Sequence, residues 1–139
     1  MQVNDYVYVT KILPKELCRN ITNTISKKDW SKHTWHNPVT EERTSEETKE
    51  LDVQPIDQEL QNLLTPYIIE AGRQYNFKFR TTGEKTEQFI NQFSPARFNR
   101  YEVGTVMRKH YDHIHSIFDG KRKGIPVLSI LGVLNNGYE

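Results

Sequence analysis

The order of patterns along the chain predicts an α+β fold, with a helical layer on a mostly antiparallel sheet. Two observations carry this. Apolar residues recur at helical spacing over residues 14–28 and 56–75, and the second half reads as aromatic and aliphatic strand segments punctuated by Pro95 and Gly104. Helical patterns followed by strand patterns, rather than alternating with them, point to α+β and not to α/β architecture. The length, 139 residues, suits one domain.

Each element has its own signal. Residues 5–13, DYVYVTKIL, alternate and are rich in β-branched and aromatic residues, so they read as a strand. Pro14 follows, then Leu17, Cys18, Ile21 and Ile25 on one helical face, which gives a helix over 14–28 with proline at its favoured first position. Residues 31–55 are polar, charged and without periodicity. They read as a long loop, which with Trp30 and Trp35 is either a plain variable loop or a lid or substrate-binding segment. A second helix over 56–75 presents Leu60, Leu63, Leu64, Tyr67, Ile68, Ala71 and Tyr75 on one face, and Pro66 should kink or split it. Residues 88–104, QFINQFSPARFNRYEVG, read as broken strand, and residues 125–135, IPVLSILGVLN, as a buried strand bounded by Gly124 and Asn135–Gly137.

Bulk properties exclude several function classes. Lys and Arg number 19 against 18 Asp and Glu, a net charge of +1, so there is no strong nucleic-acid signature. Arg97, Arg100, Arg108 and Lys109 are close enough in sequence to form a short basic stripe, but strand alternation splits the last two between faces. The mean hydropathy is -0.76, polar for a globular domain, while 11% aromatic residues argue against disorder. Cys18 is the single cysteine, which rules out an internal disulfide and any CxxC zinc site and suits a reducing compartment. It falls at an apolar helix position, so burial is expected before catalysis. No basic start precedes an apolar run in MQVNDYVYVT, and no stretch approaches the roughly 18 apolar residues of a membrane span. The expected location is the cytoplasm, with no membrane partner.

The chemistry is concentrated in Arg108–Ser116, RKHYDHIHS. In an extended strand residues i and i+2 share a face, so His110 and Asp112 can offer one nitrogen and one oxygen to the same ion, while Tyr111, His113 and His115 face the other way. A His-x-Asp pair supplies two ligands of a 2-His-1-carboxylate iron site. The plainer readings are a solvated loop, or an adventitious metal patch from His110, His113 and His115.

Upstream, Tyr101, Gly104, Met107, His110 and Asp112 stand in a run that resembles Tyr-x-x-Gly-x-x-Tyr-x-x-His-x-Asp. That is the segment leading into the metal site of prolyl 4-hydroxylase-like members of the Fe(II)/2-oxoglutarate-dependent dioxygenases. Residues 125–139, IPVLSILGVLNNGYE, look like the next family strand, with Leu134 and Asn135 at its Leu-Asn turn and Glu139 where a Gly-Gly-Glu is expected. Tyr6 to Trp30, with LPKELC inside it, looks like the family's opening strand and helix. The resemblance covers most of the chain.

The resemblance implies N-terminal helices packed on a partial double-stranded β-helix (jelly roll), with the C-terminal core strands absent. The expected organisation is a single, truncated dioxygenase domain over 1–139, with a helical part over 1–80 and the start of the jelly-roll core over 86–139. It implies Fe(II) held by His110 and Asp112, 2-oxoglutarate as co-substrate, O2, and hydroxylation of a peptidyl or small-molecule substrate with release of succinate and CO2. Tyr101 matches a tyrosine near the 2-oxoglutarate pocket; on its own terms it could equally be a core aromatic. Gly104 fits a turn or bulge on the approach to the site. Met107 stands where the pattern has a second tyrosine, which removes a hydroxyl contact. Pro126 and Ser129 occupy positions where relatives have Arg and Thr; Ser129 keeps a hydroxyl and Pro126 loses a charge.

The family's distal iron-binding histidine and its 2-oxoglutarate-binding Arg or Lys come from strands well beyond Asp112. His113 and His115 have the wrong strand parity for the first role, His33 and His36 sit in the polar loop, and Lys121, Arg122 and Lys123 read as a solvated hairpin. An incomplete sheet exposes unpaired edges, which a partner chain would complete. The competing function is a non-catalytic jelly-roll binding module, or an inactive fragment.

Overall fold

The computed structural model describes residues 6–36, 39–40, 42–45, 49–79, 93–107 and 128–135. Contacts divide the chain into two units, the first taking residues 1–28, 57–94 and 130–139, the second residues 29–56 and 95–129.

In the first unit, α1 spans Lys15–Ile25, with Pro14 extended at φ -61° and ψ 140° before it. The helix ends at Ile25, three residues short of the expected 28, with Ser26 N–H donating to Thr22 O at 3.0 Å. Ile21 and Ile25 are its buried residues, each worth roughly 1.5–3 kcal/mol of burial. Cys18 on the same helix is only half-buried.

Helix α2 spans Gln58–Phe79. Asp57 is its N-cap: its Oδ1 accepts from Leu60 N–H at 2.8 Å, the bond an N-cap carboxylate makes to the third helical amide. Its carboxyl lies below the ordinary range because of that amide and of the Lys28 ammonium it pairs with. Pro66 does not split the helix. An interior proline costs roughly 3 kcal/mol, but Leu60, Leu64 and Gly72 bury one face on both sides of it. Leu63, expected on that face, is exposed.

Two expected strands are not formed over their described residues. Residues 7–12 carry no ladder. The segment is joined to α2 through side chains: Tyr75 Oη donates to Tyr6 O at 3.1 Å, and Tyr8 Oη and Thr10 Oγ1 both donate to Gln74 Oε1, at 3.2 and 3.0 Å. The expected buried strand over 125–135 is likewise not a strand over its described residues 128–135, and Leu131 is 85% exposed. An apolar run signals burial but not a ladder partner, and this run lies against helix and loop: Ile130 Cδ1 faces Gly72, and Leu13 Cδ1 faces Gly132.

The second unit is a sheet. β1 (Ser31–Lys32), β4 (Asp52–Pro55) and β5 (Arg97–Arg100) run antiparallel in the order β1-β4-β5. The register pairs Lys32 and Arg100 with Asp52 from its two sides, and runs on to Pro55 against Arg97. β2 (Trp35–His36) and β3 (Arg43–Thr44) form a separate antiparallel pair. The expected loop over 31–55 therefore holds four short strands among its described residues. Its periodicity is hidden because the buried positions are polar: Glu50, Asp52 and Gln54 are buried alongside Leu51. The fold among the described residues is mixed α+β, and none of their helices is long and apolar enough to cross a membrane.

A Cβ at Gly72 would meet Ile130 Cδ1 at 4.0 Å, an ordinary contact. Glycine inside a helix costs about 0.5–1 kcal/mol relative to alanine. Gly72→Ala is therefore expected to stabilise the chain by about that amount, read as an upward shift of the urea midpoint at unchanged slope; a downward shift would show that the helix cannot accept the methyl group.

Candidate functional site

His110 and Asp112 lie outside the described residues, as do His113, His115, Lys121, Arg122, Lys123 and Pro126. The segment leading toward them is described. β5 ends at Arg100, and Tyr101 follows it 58% exposed, so Tyr101 is not a core aromatic. The chain then turns at Glu102–Thr105. Thr105 N–H donates to Glu102 O at 3.0 Å, and Glu102 N–H donates to Thr105 Oγ1 at 3.0 Å. Gly104 sits at the third position with φ +90°, the sign that a type II turn requires there. Val106 N–H then donates to Lys49 O at 2.9 Å, returning the chain to the approach of β4. The expected turn at Gly104 is present.

The polar centre of the sheet was not legible as a site. Asp52, 6% exposed, accepts from both neighbouring strands. Lys32 Nζ of β1 lies 2.8 Å from Oδ1, and Arg100 of β5 donates to Oδ2 through Nε at 2.9 Å and Nη2 at 2.6 Å. The Arg100 guanidinium lies over the Trp30 ring, 4.7 Å from its centroid, a cation–π contact. The Lys32 hydrogen bond, then that from Arg100, hold the Asp52 carboxyl below its ordinary range against the opposing effect of burial.

Two residues earlier on the same face is Glu50, 3% exposed. Its Oε1 accepts from Trp35 Nε1 at 2.7 Å, and its Oε2 lies 3.7 Å from His33 Nδ1. That separation is too long for a hydrogen bond, and Glu50 Oε2 and Gln54 Oε1 have no hydrogen-bond partner among the described residues. The His33 ring meets Trp35 edge-on at 4.8 Å. Trp30 and Trp35 are thus engaged with Arg100 and Glu50. A Glu-x-Asp-x-Gln alternation around Leu51 and Val53 was the available signal for a strand with a polar inner face.

The first unit has a shallow cleft of about 410 Å³ lined by Tyr8, Arg73, Gln74, Phe77 and Lys78. Beside it Arg73 forks onto Glu70, with both hydrogen bonds at 2.7 Å. That fork, with the Gln74 amide, holds the Glu70 carboxyl down at about 2. No group of three or more His, Cys, Asp and Glu side chains suited to a metal ion occurs among the described residues. Compared with known protein families, with curated proteins and with solved structures, the chain matches none.

Asp52→Ala is expected to cost about 1–3 kcal/mol, the penalty for stripping a buried acceptor from two cations that are themselves partly in water. Because the folded-state pKa of Asp52 is depressed, its contribution is present above the unfolded value near pH 4 and lost as pH falls through the folded value. A plot of Tm against pH should therefore fall less steeply in acid for Asp52→Ala than for the unmodified chain; parallel curves would refute the assignment. Gly104→Ala meets no atom within 4 Å, so its expected cost of about 1 kcal/mol is purely conformational. Gly104→Asn, more tolerant of positive φ, should lose less in the same chemical denaturation experiment.

Proposed function

We propose that the chain is part of an Fe(II)/2-oxoglutarate-dependent dioxygenase of the prolyl 4-hydroxylase-like kind, acting on a peptidyl or small-molecule substrate. The observation that carries the reading is the spacing of Tyr101, Gly104, His110 and Asp112. Two described features agree with it: Gly104 adopts the positive φ that a glycine at this place in the pattern would serve, and Tyr101 stands in solvent, available to a ligand rather than committed to a core. In this reading β5, at Arg97–Arg100, belongs to the start of the jelly-roll core expected over 86–139.

His110 and Asp112 would hold the metal through one imidazole nitrogen and one carboxylate, the donor types that suit ferrous iron. With 2-oxoglutarate and O2, the iron supplies hydroxylation of a substrate C–H bond. The residues of this chain contribute position: the turn at Gly104 directs the run from Tyr101 toward His110, and Tyr101 offers a phenol to the co-substrate. No residue identified in the chain takes the role of the second histidine or of the basic anchor for 2-oxoglutarate.

Anaerobic titration of the full chain with Fe(II), with and without 2-oxoglutarate, tests the reading. A weak visible charge-transfer band is expected with both ligands present, and His110→Ala should abolish it. If no band forms in this chain or in one extended by further strands of the same reading frame, the dioxygenase reading fails, and a non-catalytic binding module takes its place.

A further inference from the structure

Arg100 and Val106 bracket the turn that precedes the His110 segment, and both are fastened to one short stretch of chain. Arg100 is bonded to the Asp52 carboxylate, and Val106 N–H to Lys49 O. The Asp52–Arg100 pair is also the end of the β4–β5 ladder. Ladder ends fray, so whatever secures that last pair decides where the strand stops and the turn begins. Here the fastening is a buried carboxylate, held from the other side by Lys32, gripping a guanidinium that is stacked on Trp30.

We propose that Asp52, acting through Arg100, is a positioning residue for the Tyr101–Met107 segment, and so for the point from which the chain runs on to His110 and Asp112. The link to metal binding rests on the dioxygenase reading; the positioning of Tyr101–Met107 does not.

The test compares the unmodified full chain with Asp52→Asn, which preserves shape and removes the charge. Amide hydrogen exchange is followed at Thr105 and Val106, whose N–H groups are bonded within and behind the turn, and at Ile21 in α1 as a reference. In Asp52→Asn the Thr105 and Val106 amides should exchange about ten-fold faster than any change at Ile21 accounts for. In the unmodified chain the same protection, corrected for intrinsic exchange, should be lost as acid protonates Asp52, whose charged neighbours are Lys32 and Arg100; in Asp52→Asn it should show no such titration. A role confined to global stability would move Ile21, Thr105 and Val106 by the same factor. In the Fe(II) and 2-oxoglutarate titration, Asp52→Asn should raise the Fe(II) concentration at which the band is half-formed.

Unchanged protection of Thr105 and Val106 in folded Asp52→Asn overturns the proposal, and unchanged Fe(II) affinity beside faster exchange overturns its link to the metal segment. If Asp52→Asn does not fold, Arg100→Lys, which keeps the charge but loses the fork and the stacking, gives the same comparison. Faster exchange in a chain that forms no charge-transfer band upholds the positioning of the turn and rejects the dioxygenase reading instead.

Discussion

A carboxylate as covered as that of Asp52, 6% exposed on the middle strand, must be neutralised where it stands. Asp52 meets this condition with one cation from each flanking strand, Lys32 of β1 and Arg100 of β5. Removing an ion from water costs several kcal/mol, and the attraction it regains in the interior often does little more than offset that cost. The net stability of such a cluster is therefore modest. Its consequence is specificity. A one-residue slip of either neighbour would turn its cation to the opposite face and leave Asp52 buried and uncompensated. The observed pairing of Asp52 with Lys32 on one side and Arg100 on the other is the arrangement that avoids this.

The helices could be read from the sequence because their physics is local. Ile21 and Ile25 are spaced to share a face and are buried together. α2 was recognisable from Leu60 and Leu64, although it runs four residues past Tyr75, to Phe79. The strands were a different matter. Residues 5–13 alternate as a strand should, yet alternation says nothing of where a partner will lie, and Tyr8 and Thr10 find Gln74 of a helix instead of a ladder. Residues 31–55 failed in the opposite sense. Hydrophobic periodicity detects a buried face only when that face is apolar, and here it carries Glu50, Asp52 and Gln54.

The same contrast governs the site. Tyr101 and Gly104 could be picked out because their meaning lies in spacing along the chain, and Gly104 has the turn conformation that its place suggested. Asp52 could not be picked out. Its partners lie far from it in sequence, and only the order β1-β4-β5 brings them together. A lysine, an aspartate and an arginine scattered over a polar chain look like ordinary surface residues until the pairing of strands is known.

β4 therefore acts as more than the central strand of a small sheet. The stretch from Lys49 to Gln54 meets, in succession, the returning chain at Val106, the Trp35 indole of the β2–β3 pair through Glu50, and the cations of β1 and β5 through Asp52. An apolar strand of the same length would bury as well, but it would accept neighbours at several registers with little difference in energy. Each buried acceptor instead admits a partner of one chemistry at one place. Glu50 Oε2 and Gln54 Oε1 show the cost of the arrangement, two buried acceptors with no donor among the described residues. What Asp52 adds is register: Lys32 and Arg100 reach it only where β1 and β5 are paired as observed.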